Sequence, residues 1–576
     1  MAIDLTLRSV KGTPLTHGEL DGNFTRLKQE FTDLATANSA VLVGGVQAQY
    51  LAQRRVDIRA FGIVFDGSDE GAKLRTALAA GVPLYFPPNK TITVGGDPAA
   101  PISDAGTNSF TRCIAIPSNA DLMFGSNFTI KAVNGLKVWN RIVVMENVSN
   151  IKIYGTLKVD ANVQNVGTPN NEHMHGIFLY NVTNLEADCF SSINARGDNV
   201  FIGGANETTF SDNIRIRNVI GTTAGRKNLV IHMVDNLVID SANLNNDSGG
   251  ASLYGGVADD SDKHCLDLEP DAFTGSRVFR QYIGTLRTRG SGNDFTAGTA
   301  PATSDAWQLT IGDFYHRNTG SSTIKAWIQY GVTINVVNNL ELVDCFGADS
   351  TVTLQYAARL NVGGKLKING STATGSGSMI FATAAGGDAN TPRLSAKEID
   401  ISCSQGGGLL LRSCHLNVDT LRLACPAYGF VIGDNVSTAA NKALTNIGKL
   451  VTKDTGGTYI GQLDTPVTAS PYVSVGEVTA IDTRGTKASA IFQVAANNSL
   501  NFVVEDLRET SGIPFVTWVG SDKFVKSSAY KFVCQGTPES MITAPVGAIA
   551  QRLDGGASTT LYVKQTGTGN TGWVGK

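Results

Sequence analysis

The sequence predicts an all-β chain built around a parallel β-solenoid. Three observations predict it. The 576 residues include 63 glycines but only 17 prolines, and just 17% are charged, which is a turn-and-strand composition. A strand phrase entered through asparagine recurs at coil-like spacing. A second strand phrase alternates with the first.

The first phrase reads NVSNIKI (147–153), NVTNLEA (181–187), FSDNIRI (210–216), MVDNLVI (233–239) and VVNNLEL (336–342). Its asparagines fall at Asn150, Asn184, Asn213, Asn236 and Asn339, so the first steps are 34, 29 and 23 residues. The final step of 103 fits about four turns of ~26 residues. The second phrase is HGIFLY from His175, DNVFIG from Asp198, KNLVIH from Lys227 and HCLDLE from His264. Each coil therefore carries at least two strands and buries its aliphatics against the next coil. A β-sandwich or propeller is the competing architecture, and the repeat of one phrase at coil spacing favours the solenoid.

Ahead of the repeats, residues 56–94 read as strand, loop, helix over 69–80 and strand, with Leu74 and Leu78 on the inner face of the helix. An amphipathic helix covers the open end that a solenoid would otherwise expose. Upstream, Thr16 and Glu19 form a capping box, followed by Leu20, Phe24, Leu27, Phe31 and Leu34 at 4-3-4-3 spacing. Asn38 and Val41 continue that seam, which can align chains over 18–41 once they are held together elsewhere; an ordinary amphipathic helix fits the same pattern. Beyond the repeats, 470–510 loses both phrases and alternates apolar and polar residues, as an antiparallel sheet does. The expected organisation is an attachment and coiled-coil segment over 1–55, the solenoid over 56–465, and a C-terminal β-domain over 466–576 for trimerisation or carbohydrate binding.

Several classes are excluded. A net charge of −3 with no Lys/Arg run argues against a nucleic-acid partner. No apolar run approaches the length of a membrane span, and the start MAIDLTLRSV has no signal-peptide core, so synthesis in the cytosol without membrane insertion is expected. The eight cysteines lie in strand-like text without metal spacing and read as buried free thiols. No cofactor or metal is expected. His173 and His175 share a strand face but have no third ligand in sequence, and the acids of DDSD (259–262) lack calcium-loop spacing.

The candidate site comes from stacking the second phrase. Aligning Ile177/Leu179, Val200/Ile202, Leu229/Ile231 and Leu266/Leu268 as interior pairs sets the outward residues in columns. The columns are Gly176, Asn199, Asn228, Cys265; then Phe178, Phe201, Val230, Asp267; then Tyr180, Gly203, His232, Glu269. Aromatics at one end and carboxylates at the other suit a sugar site. Asp267 and Glu269, at i and i+2, are candidates for an acid/base pair at the ~6.5–9.5 Å separation of inverting glycosidases, with Asp271 tuning them and His232 oriented by Glu269. Phe178, Tyr180 and Phe201 are candidate sugar platforms, Arg226 and Lys227 candidates for holding an acidic sugar, and Tyr254 a contributor from the long 245–263 loop. The plain alternative is that outward acids on a solenoid simply face water.

Residues 56–94 also resemble the entry of the pectate-lyase-like superfamily, through Phe61-Gly62, Asp66-Gly67, Asp69-Glu70, the helix, and Tyr85-Phe86-Pro87. The stretch LTLRSVKGTPLTHGELDGNFTRL (5–27) resembles the opening of phage tail fibres and tailspikes, and 536–576 resembles a C-terminal module of phage tail proteins. LDLEPD (266–271) resembles an Asp-x-Glu-Pro-Asx phrase of phage depolymerases. The resemblance implies a homotrimeric tailspike with a right-handed parallel β-helix, located in the virion tail and joined to other tail or baseplate proteins through its N-terminus. It also implies cleavage of a bacterial capsular or lipopolysaccharide glycan. Hydrolysis by Asp267 and Glu269 is the first expectation. A lyase with His232 as base and Arg226 or Lys227 as cation is the second, and a non-enzymatic receptor-binding fibre the third.

Overall fold

The computed structural model describes residues 55–101, 111–136, 140–165, 173–246, 264–269, 278–290, 295–297, 307–318, 326–328, 332–347, 351–373, 378–383, 391–433, 444–457, 459–463, 472–484, 488, 490–495, 501–509, 513, 516–519, 524–528 and 531–576. The expected attachment segment and the 18–41 seam lie outside the described residues, as do Tyr254, Asp271 and the DDSD acids.

Each coil contributes one short strand and one long strand. Short strands Ile177–Tyr180, Val200–Gly203, Lys227–Ile231 and His264–Leu268 pair in parallel, each with the next in sequence. Long strands Thr183–Ile193, Ser211–Thr222 and Val234–Asn246 do the same in a second sheet. Parallel neighbours one coil apart in sequence define a β-solenoid. The interior column is the expected one: Ile177 pairs with Val200, Val200 with Leu229 and Leu229 with Leu266, and all four are 0% exposed. All eight cysteines are buried and free.

The asparagine phrase has a backbone cause. Asn150, Asn184, Asn213 and Asn236 adopt left-handed φ of 60°, 58°, 53° and 50°, a conformation that asparagine tolerates better than most residues. Their side chains form a ladder, with Asn184 Nδ2 donating to Asn150 Oδ1 (3.1 Å) and Asn213 Nδ2 to Asn184 Oδ1 (2.8 Å). Asn236 ends it by donating to Asp212 Oδ1 (2.8 Å). Asn339 is not among the left-handed residues; its backbone N–H reaches Asp313 Oδ1 at 3.4 Å.

The helix spans Gly71–Ala79 and buries Leu74, Ala77 and Leu78 on the coil end, as expected of a cap. The buried Glu70 carboxylate fixes the preceding loop by accepting the N–H groups of Val64 (2.7 Å) and Phe65 (2.9 Å).

The far end differs from the sequence expectation. Tyr472–Ile481 pairs in parallel with Leu444–Lys453 and Asn501–Glu509, and Ala490–Ala495 with Tyr459–Leu463 and Val516–Val519. The coils thus run past 465 to 519, and 470–510 is not an antiparallel sheet. Antiparallel pairing begins where Phe524–Ser528 meets Lys531–Cys534. Ile549–Arg552 joins Lys531–Cys534 in parallel, and Leu561–Lys564 and Trp573–Gly575 follow antiparallel, around a separate small core that includes Phe532, Ile542, Tyr562 and Trp573. No helix among the described residues is long and apolar enough to cross a membrane.

Candidate functional site

Strand register brings the predicted columns together. Phe178 pairs with Phe201, Phe201 with Val230 and Val230 with Asp267. The rings of Phe178 and Phe201 stack at 4.9 Å, and those of Phe178 and Tyr180 at 5.7 Å. Beside them opens a cleft of about 470 Å³, within the usual ~300–1,000 Å³ of small-molecule sites. Of the predicted residues, Phe178, Tyr180, Phe201, Arg226 and Glu269 line it.

The acid end is not an open carboxylate face. Asp267 is 1% exposed, and Lys227 Nζ bonds both its Oδ2 and Glu269 Oε1. Arg226 Nη2 stands 4.0 Å from the same Glu269 oxygen. Two carboxyl groups gripping one ammonium are closer than the inverting range of ~6.5–9.5 Å, which leaves no room for a water between them. Burial pushes the Asp267 carboxyl well above its ordinary range despite Lys227, and Glu269 adds to that rise. Burial also pushes Glu269 up, but Lys227 outweighs it and holds Glu269 below the ordinary range. Burial would depress the Lys227 ammonium; Asp267 and Glu269 together raise it instead. One buried acid, one cleft-facing carboxylate and one lysine thus act as a coupled group, with Asp267 behind the site.

Phe178 is likewise less open than expected. It is 4% exposed, and the Arg141 guanidinium lies 3.8 Å from its ring centroid in a cation–π contact. Tyr180 and Phe201, both half-buried, are the rings with surface to offer. His232 is not a cleft-lining residue. Its Nδ1 lies 3.0 Å from the Gly204 carbonyl oxygen, and its ring is 6.1 Å from Phe201.

Five cleft residues were not among the predicted site residues: Arg141, Glu146, His173, His175 and Asp198. His175 Nδ1 lies 3.1 Å from Asp198 Oδ2. The Asp198 backbone N–H also points at that ring nitrogen, at 3.2 Å. The backbone N–H favours a lone pair at Nδ1 and the ionised carboxylate a proton there; the charge-assisted bond is the stronger, so the tautomer with Nδ1–H donating to Asp198 fits best. Burial lowers the His175 pKa even against the pull of Asp198, so the ring rests neutral. Burial pushes Asp198 up, yet His175, Arg226 and Lys227 hold it below the ordinary carboxylate range. The pairing across coils was the missed signal: His175 and Asp198 begin neighbouring repeats of the second phrase, and Lys227 begins the repeat before the one that contains Asp267.

His173 and His175 meet edge-on, with centroids 6.2 Å apart. Among the described residues no three His, Cys, Asp or Glu side chains converge as a metal site.

No protein-family model matches the chain, and no curated protein matches it. Among solved structures it is similar to the N-terminal fragment of bacteriophage Phi29 gene product 12, at 14% identity and a TM-score of 0.34, over 85% of this chain and 96% of that one. Similarity at that level transfers nothing to the cleft.

Proposed function

We propose that this chain is a phage tailspike that binds a bacterial surface polysaccharide in the Arg141–Glu269 cleft and hydrolyses it. The observation that carries the reading is the pair of half-buried rings Tyr180 and Phe201, both stacked on Phe178, in one cleft with Glu269, which Lys227 ties to the buried Asp267. Aromatic faces bind the apolar faces of pyranose rings, and Glu269 is the cleft carboxyl that can protonate a departing glycosidic oxygen. The tail-like sequence at 5–27 and 536–576 supports a place in the virion tail, with attachment through the N-terminus. The 18–41 seam supports a homotrimer, and a right-handed winding follows the strong general preference of parallel crossovers.

One observation favours a second chemistry. Arg141 and Arg226 both line the cleft and can neutralise a uronate, which β-elimination requires. A panel of purified capsular and O-antigen polysaccharides incubated with the full chain tests the reading. New reducing ends without unsaturated products support hydrolysis, and an ultraviolet-absorbing unsaturated end assigns elimination. A panel left at its starting chain length assigns a binding fibre and contradicts cleavage.

A further inference from the structure

We propose that His175, oriented by Asp198, is the general base of this cleft; the inference rests on the glycan-hydrolysing reading above. The two residues precede short strands of neighbouring coils, so the strand register itself places them side by side. His175 is 3% exposed and Asp198 2%, yet both belong to the cleft wall. The ring plane is held by Phe178, stacked at 5.3 Å and 11°, and by Phe201 at 5.5 Å. The ring edge is held by Asp198 Oδ2 at 3.1 Å.

This arrangement is costly as a purely structural device. Asp198 Oδ1 is buried without a hydrogen-bond partner among the described residues, and an unsatisfied buried carboxylate oxygen destabilises a fold. The charged groups acting on His175 are Asp198, Arg141 and Arg226. The two guanidinium groups and burial oppose a charged imidazole, and Asp198 alone favours one. The resting ring is therefore neutral, with the Nε2 lone pair as its basic site and Asp198 placed to stabilise the cation that results. Glu269 lines the same cleft and is the carboxyl placed to give a proton to a leaving oxygen.

The step balances as follows. A water O–H bond breaks and its proton goes to His175 Nε2. The water oxygen bonds to the anomeric carbon as the glycosidic C–O bond breaks. The leaving oxygen takes a proton from Glu269, which enters the step in its protonated form. Loss of a proton from His175 and uptake of one by Glu269, both through solvent, restore the site.

The test compares the full chain with H175Q, D198N and E269Q on a polysaccharide from the panel, measuring kcat, KM and the pH profile of reducing-end release. H175Q is expected to lower kcat by about 10²–10⁴-fold with KM little changed, and to abolish the acid limb of kcat/KM. D198N keeps the ring in place; it should lower kcat and move the acid limb to lower pH, because Asp198 is the group that raises the imidazole pKa. If H175Q keeps the wild-type kcat and acid limb while E269Q is impaired, this inference is overturned and the cleavage reading stands. If H175Q does not fold, an acid limb unmoved in D198N overturns it instead. A wild-type chain that cleaves nothing overturns both.

Discussion

Lys227 and Asp267 form an ion pair across one coil step, with side chains only 4% and 2% exposed. Burying two charges is costly, and removing one partner leaves the other uncompensated. Lys227→Met is therefore expected to destabilise the chain by about 3 kcal/mol. Asp267→Asn should also lower the melting temperature, since the buried amide replaces an acceptor of the lysine. Glu269→Gln, at a side chain 20% exposed, should cost about 1 kcal/mol or less. Denaturant melts of the three variants, read beside the wild type, check the order.

The interior column gives a second expectation. Leu229 is 0% exposed between Val200 and Leu266. Leu229→Ala removes buried methyl groups and leaves a cavity that stacked coils cannot close, at a cost of about 2–5 kcal/mol. An equilibrium melt showing less than ~1 kcal/mol would place Leu229 outside the core.

That column was legible in the sequence because strand alternation separates the two faces of a strand. Alternation does not say what covers an outward face. Asp267 sits in the outward column, as read, but it is buried against Lys227 rather than facing water. The His175–Asp198 contact joins residues 23 positions apart, and neither belongs to a recognised catalytic motif. The long strands past 465 misled for another reason. Val473, Val475, Val478 and Ala480 are buried and their neighbours are not, which is the half-buried pattern usually met in antiparallel sheets. A one-sided solenoid wall produces the same alternation from parallel strands.

The position of that boundary is itself testable. A chain ending at 465 strips Leu444–Lys453 and Tyr459–Leu463 of their next parallel partners. It should aggregate through the exposed strand edges. A chain ending at 530 keeps the coils through Val516–Val519 and the parallel partner Phe524–Ser528 of Asn501–Glu509, and removes the small separate core. It should remain soluble and cooperatively folded. Size-exclusion chromatography and thermal melts of the two truncations distinguish them.

Acid should loosen the later coils. The Arg484 side chain bonds Asp482 bidentately, at 2.8 and 2.6 Å, and holds its carboxyl down to about 2 from an ordinary 3.8. Arg484 also reaches the Thr455 carbonyl at 3.0 Å, tying two coils together. A carboxyl with a depressed folded pKa stabilises the fold above its unfolded value. That stability is lost as pH falls from 3.8 towards 2. Asp482→Asn should lower the melting temperature at neutral pH and flatten its decline across that window. Melts of wild type and variant at pH steps through the window check both effects.

The most direct measurement is reducing-end release from a polysaccharide panel by the purified full chain and by Glu269→Gln. Glu269 is the cleft-lining member of the carboxyl pair, so its variant should stay folded and bind while turnover falls by about 10²-fold or more. A Glu269→Gln chain that releases reducing ends at the wild-type rate would contradict the proposed site. A wild-type chain that releases none from any polysaccharide would contradict cleavage altogether.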